Sequence, residues 1–211
     1  MRLLSESGER TLHNPTAIHP LYGYNMIIIK LGGSLSRSNA LVNCLNAVEK
    51  KYQDRAVVIV PGGGAFADQV RLAQQHWHFD ANTAHHMALL AMQQMALMFK
   101  GLKPGFAVAD TVAAIQDQLN RRKIVIWSPA IIELDNAGIR ASWDITSDSL
   151  AAWLAGTLSA SELILVKSAA IDANLSLHQL AKQDIVDRAF CDFVAQAAFK
   201  TRVINMQSWD E

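Results

Sequence analysis

The chain has 211 residues, 51% of them hydrophobic, and its 19 basic and 19 acidic residues cancel to a formal net charge of +0. That is enough apolar material for one core of ordinary to large size without staples, and the balanced charge provides no basic field to hold a nucleic-acid backbone, so nucleic acid is not an expected partner. No apolar run reaches the length of a membrane span, and Cys44 and Cys191 each sit in an apolar helical pattern without a CxxC partner, so no membrane is expected and a cytoplasmic location is.

Residues 1–25 carry Glu6, Glu9, Arg10 and two prolines and lack the apolar centre of a signal peptide; they read as a loose extension, with Met26 a candidate start. The first strand is Met26–Leu31, and it runs into Lys30-Leu31-Gly32-Gly33-Ser34 ahead of a helical pattern at 38–51. A second buried strand, Ala56–Val60, ends in Pro61-Gly62-Gly63-Gly64 and opens a helix at 65–78. Two such turns supply bare backbone N–H groups at helix N-termini, where oxyanions bind well. A glycine after a strand also makes a plain tight turn, but a doublet with a lysine at the end of the first strand favours phosphate. Neither turn is G-x-x-x-x-G-K-[ST] or G-x-G-x-x-G, so the P-loop and dinucleotide signatures are missing.

The helix at 82–99 carries Met87, Met92, Met95 and Met98, a stripe that suits a core and, on so apolar a helix, also a contact with a second subunit. A homo-oligomer, a dimer or a multiple of it, is the corresponding expectation. His85 and His86 open this helix either as capping or solvated side chains or as hydrogen-bonding partners of an anionic substrate. Strands at Phe106–Ala109 and Lys123–Trp127 flank a helix at 111–120.

Trp143-Asp144-Ile145-Thr146-Ser147-Asp148-Ser149 then leads into a helix at 148–158. Asp148 falls in its first turn and Asp144 just outside. Capping explains one acidic residue. Two that converge suit the orientation of a lysine ammonium or of a magnesium ion that meets phosphates. Lys167 closes the strand Leu163–Val166, either snorkelling to solvent or placing a second positive charge at the edge that holds Lys30. A helix at 187–199 and a strand at Arg202–Asn205 complete the chain. Short, nearly continuous apolar strands in βαβα order predict an α/β protein, a three-layer αβα sandwich with a mainly parallel central sheet, whose ligands sit at the carboxyl ends of the strands.

From about Met26 to Met206 these motifs together resemble the amino acid kinase family. The resemblance implies that family's fold and a phosphotransferase using ATP and Mg2+, with no metal site built from protein side chains alone. It implies catalytic roles for Lys30, Asp148 and Lys167, with Asp148 organising the lysines. Gly32, Gly33, Ser34, Gly62, Gly63 and Gly64 would bind phosphate, while Asp144, His85 and His86 would hold the acceptor. Val166-Lys167-Ser168-Ala169-Ala170-Ile171-Asp172 resembles the lysine-bearing strand and turn of uridylate kinases, which implies nucleotide contacts for Lys167, Ser168 and Asp172. One kinase domain, residues 26–211, would divide into an acceptor part, about 26–160, and a nucleotide part, about 161–211. The latter is short: Ala173 replaces the turn glycine, only about fifteen residues separate Asp172 from Asp187, and there is no late Gly-Gly-Met-x-x-Lys motif.

Ala84-His85-His86-Met87-Ala88, with the segment Trp143–Ser149, resembles one branch of the family. That branch converts an aminomethylfuran-methyl phosphate to its diphosphate in the synthesis of a methanofuran-type cofactor. The implied partner is a small phosphorylated metabolite. Uridylate or isopentenyl phosphate kinase is the alternative within enzymes, and a non-catalytic regulatory protein binding a phosphometabolite or nucleotide is the alternative of another class.

Overall fold

The computed structural model describes residues 26–209, so the expected N-terminal extension lies outside the described residues. Six strands, β1 (Met26–Leu31), β2 (Ala56–Pro61), β3 (Ala107–Ala109), β4 (Val125–Trp127), β5 (Glu162–Lys167) and β6 (Lys200–Asn205), form one sheet in the order β3-β4-β2-β1-β5-β6. Every neighbouring pair is parallel. Parallel strands need helical crossovers, and helices on both faces explain why β1 and β2 are apolar almost throughout instead of alternating.

Successive side chains point to opposite faces and build two cores. Ile28, Val58, Val60, Val125, Trp127, Leu163 and Leu165 pack on one side. There they meet Ile115 and Leu119 of α4 (Val112–Asn120), Leu134 of α5 (Ile131–Asn136) and Leu150, Ala151 and Leu154 of α6 (Ser147–Thr157). Ile27, Ile29, Leu31, Val57, Ile59, Ile164 and Val166 pack on the other, against Leu41, Leu45 and Val48 of α1 (Ala40–Lys51). The long helix α3 (Ala81–Leu102) serves both cores, the first through Leu89 and Met92 and the second through Met95, Ala96 and Phe99. The methionine stripe is thus core at Met92 and Met95, where an unbranched thioether fills the irregular junction between layers. This is the expected three-layer αβα sandwich.

Register brings the central strands to one level at their carboxyl ends, with Leu31 beside Pro61 on one side and Val166 on the other. β1 carries a single charge, Lys30, one residue before that edge. The glycine turn after β1 continues as a 3-10 turn, Gly33–Arg37, and the one after β2 opens α2 (Gly64–Trp77).

The helix expected at 187–199 is corrected to α8, Phe190–Val194. Tertiary bonds take the backbone preceding it: the N–H of Asp187 donates to Asp148 and that of Ala189 to the carbonyl of Asp144. After Val194 the chain turns back to deliver Lys200 to β6. Two short helices, α5 and α7 (Leu177–Lys182), are additional to the expected elements. α7 opens with a capping box in which Ser176 and Gln179 satisfy one another's ends.

Candidate active site

The carboxyl edge of β1, β2 and β5 brings the two glycine turns together backbone against backbone. A Cβ on Gly62 would lie 2.5 Å from Gly33 N, and one on Gly33 would fall on Gly64 N, so only glycine permits this approach. Gly64 also has φ of +55°. The N–H of Gly32 donates to Val166 O at 3.0 Å and that of Gly62 to Leu31 O at 2.9 Å. These two glycines therefore tie strand ends together and have no N–H to offer a phosphate, a correction to the expected role. The donors left for an anion are the N–H groups of Gly33 and Ser34 in the first turn and of Gly63 and Gly64 in the second, with those of Ala65 and Phe66, which precede the first intrahelical bond of α2, Ala67 N to Gly63 O.

Beside the turns stands a buried ionic cluster. Asp148, in the first turn of α6, is 2% exposed. Lys30 Nζ lies 2.7 Å from its Oδ1, and Lys167 Nζ donates to its Oδ2 at 2.5 Å. Burial opposes ionisation of Asp148, but the charges of Lys30 and Lys167 and the hydrogen bonds from the side chains of Asp187 and Lys167 outweigh it and hold the carboxyl far below the usual range. Lys167 is pushed down to about 8 by burial and by the Lys30 charge, against the pull of Asp148. Asp148 thus holds two ammonium groups at the ends of adjacent strands.

Asp187 is a site residue that the sequence pattern does not single out. Its carboxylate accepts from Thr146 N at 2.8 Å, Thr146 Oγ1 at 2.9 Å and Ser149 N at 2.8 Å, and so caps α6 from a distant loop while its own N–H bonds Asp148. Burial, and after it the neighbouring Asp148 charge, raise its pKa to about 6. Nothing local marks a cap supplied from about forty residues away.

Two cavities adjoin at this edge. One, of about 350 Å³, lies over the glycine turns and is walled by Leu89, Met92, Ile145 and Leu150, with His85 among its polar groups. The other, of about 570 Å³, contains Lys30, Asp148, Lys167, Asp144 and Asp187. Arg71, Trp143 and Thr146 line both.

The expected acceptor residues separate. His85 is buried at the glycine-side cavity, its Nε2 without a hydrogen-bond partner and its pKa lowered by burial and then by His86, with Asp135 opposing. Asp144 belongs to the lysine-side cavity. His86, a helical step from His85, faces away and meets Asp135 at 3.1 Å. Ser34 and Ser168 bond one another at 2.7 Å across the β1 and β5 turns. Asp172 makes a local turn, accepting from Asn174 N and Nδ2, and lines neither cavity.

Among the described residues no group of three His, Cys, Asp or Glu side chains forms a metal site. Both oxygens of Asp148 are occupied by lysines. A magnesium ion carried on nucleotide phosphates needs only one or two carboxylates, and Asp144 in the lysine-side cavity fits that requirement, whereas Asp184 there pairs with Arg188 at 3.7 Å.

Comparison with known proteins agrees with this fold. A family profile described as the amino acid kinase family matches residues 25–171. A curated relative, the [5-(aminomethyl)furan-3-yl]methyl phosphate kinase of Methanocaldococcus jannaschii, is 31% identical over 142 residues, 66% of this chain. The chain spans 64% of that relative's length. The structure of uridylate kinase from Archaeoglobus fulgidus is similar with a TM-score of 0.65 at 17% identity, over 88% of this chain and 95% of that one. UMP kinase from Ureaplasma parvum gives 0.66 at 17% identity, over 87% and 90%. At this identity the two structures show a shared fold.

Proposed function

The chain belongs to the amino acid kinase family, and on that premise we propose that it is an ATP- and Mg2+-dependent phosphotransferase. Its acceptor is a small phosphate monoester of the aminomethylfuran-methyl type, converted to a diphosphate. The observation that carries the reading is the buried Lys30–Asp148–Lys167 cluster beside the paired glycine turns. The 31% identical relative supplies the substrate class.

When bound, the nucleotide supplies the γ-phosphoryl group and the magnesium ion spreads its charge. An ionised phosphate oxygen of the acceptor forms the new P–O bond, the bond to the β-phosphate oxygen breaks, and ADP leaves. Transfer of this kind asks the protein for position and charge neutralisation. Lys30 and Lys167, held apart by the two oxygens of Asp148, present ammonium groups to the oxygens between which charge moves. The start of α2 directs its N–H groups to the same edge. No general base is needed, since a phosphate monoester is largely ionised near neutral pH. His85 Nε2 supplies one polar contact beside the apolar wall of Leu89, Met92, Ile145 and Leu150.

The test is a coupled assay with ATP, Mg2+ and each of [5-(aminomethyl)furan-3-yl]methyl phosphate, UMP and isopentenyl phosphate. Diphosphate formed from the furan alone supports the reading, whereas turnover of UMP but not the furan replaces the acceptor. The short nucleotide part, where Asp172 closes a local turn, favours a second reading as a non-catalytic phosphometabolite-binding protein. No turnover, with no thermal shift by ADP and Mg2+ but a shift with a phosphorylated metabolite, would select it.

A further inference from the structure

We propose that Arg71 reads the phosphate of the acceptor, and so makes this site specific for phosphate monoesters. The proposal rests on the phosphotransferase reading above. Arg71 is the cation common to both cavities, at the point where an acceptor lying over the glycine turns would reach the lysine cluster. Its guanidinium carbon stands 4.2 Å from the centroid of the Trp143 ring. That indole is fixed in turn: Trp143 Nε1 donates to Gln74 Oε1 at 2.7 Å, and Gln74 Nε2 donates to Phe79 O at 3.1 Å. Arg71 and Gln74 are three apart on α2 and share a face, so one helix sets both the cation and its platform.

The contrast with the other cations is what assigns the role. Lys30 and Lys167 both face Asp148, and Arg37 faces Asp68 at 2.7 Å. Among the described residues no carboxylate lies within ion-pair distance of Arg71. A guanidinium stacked on an aromatic face keeps its in-plane N–H donors available in the fork geometry that matches a phosphate. The acceptor brings a dianion to a place already receiving the charged phosphoryl group. Two ammonium groups on one carboxylate leave about one positive charge for the transferring phosphoryl group, so the charge that balances the acceptor's own phosphate comes from Arg71.

The experiment compares wild type, Arg71→Met and Arg71→Lys by calorimetric titration with furfuryl phosphate, with UMP and with ADP plus Mg2+, using furfuryl alcohol as the unphosphorylated control. Loss of a charge-assisted contact predicts that Arg71→Met binds furfuryl phosphate about tenfold or more weakly. ADP and Mg2+ should bind within about twofold of wild type, and Arg71→Lys should recover only part of the loss, because it keeps the charge but not the fork. Trp143 fluorescence should respond to furfuryl phosphate in wild type and not in Arg71→Met, with Trp143→Phe identifying that tryptophan's signal. Unchanged furfuryl phosphate affinity in a folded Arg71→Met, beside normal ADP binding, overturns the proposal and leaves the kinase reading standing. Tighter dependence of ADP than of the monoester on Arg71 also overturns it. A wild type that binds neither the monoesters nor ADP with Mg2+ removes the kinase reading and the proposal together.

Discussion

Asp148 is the residue on which the site turns, because a carboxylate at 2% exposure stays ionised only through the two lysines it faces. Removing a lysine therefore acts on chemistry first. Lys30→Met should lower kcat by about 10²–10³, the usual cost of losing one transition-state electrostatic partner. Circular dichroism should retain the native signal, since Lys167 still faces Asp148. Intact turnover in that variant contradicts the assignment. Lys167 gives a pH signature. Its proton is lost as pH rises through about 8, so kcat/KM should fall about tenfold per pH unit above that value, a slope to be measured in the free-enzyme profile. A flat profile to pH 10 would remove Lys167 from the reaction.

At the scale of elements, two strand ends and one helix start do the positioning. The turns after β1 and β2 touch through glycine backbones, so Gly62→Ala must displace Gly33. A cost of about 1–3 kcal/mol is expected for such overpacking, or a fall in Tm of roughly 2–12 °C for a chain of this size. Gly101→Ala, at a helical position in α3 with nothing within 4 Å of a new Cβ, should leave Tm unchanged or raise it. Scanning calorimetry of the pair separates close approach from ordinary glycine entropy. The start of α6 depends on a cap from elsewhere, since the Thr146 side chain does not cap its own helix and Asp187 does. Asp187→Ala should cost about 0.5–2 kcal/mol from the cap alone. It should also reduce kcat, because the helix start that fixes Asp148 loses its cap, even though the backbone N–H at 187 still reaches Asp148. Unaltered kcat in a stable Asp187→Ala protein would confine that residue to structure.

Across the whole molecule, the buried charges make stability depend on pH in opposite senses. Asp187 has a folded pKa of about 6, above the ordinary 3.8. Between these values the folded protein holds a proton that the unfolded chain has released, so this contribution to stability falls as pH rises, by on the order of 3 kcal/mol in all. Asp148 is depressed, so its contribution is present above the ordinary carboxylate range and is lost progressively as pH falls below that range toward the folded pKa. Denaturant titrations at pH 4 and pH 6.5 should show Asp187→Asn gaining stability relative to wild type at the higher pH. An unchanged difference between the two pH values would mean that Asp187 titrates normally.

The six strands and their parallel order were legible in the sequence, because a parallel sheet buried on both faces writes unbroken apolar runs such as Met26-Ile27-Ile28-Ile29. Both glycine turns, Lys30, Asp148 and Lys167 were legible too, as departures from apolar strands and from helix interiors. The helix expected over 187–199 is shorter in the structure because local periodicity says nothing of the hydrogen bonds by which Asp187 and Ala189 leave the helix to meet Asp148 and Asp144. Arg71 and Asp187 carried no local mark; their significance comes from neighbours distant in sequence. The chain by itself determined which elements form and which polar groups stand at strand ends, since both follow from short-range patterning and burial. Only the tertiary structure decided which of those groups meet. Strand register and the return of the loop after α7 set distances that no spacing along the chain encodes, and they placed His85 and Asp144 in separate cavities with Arg71 between them.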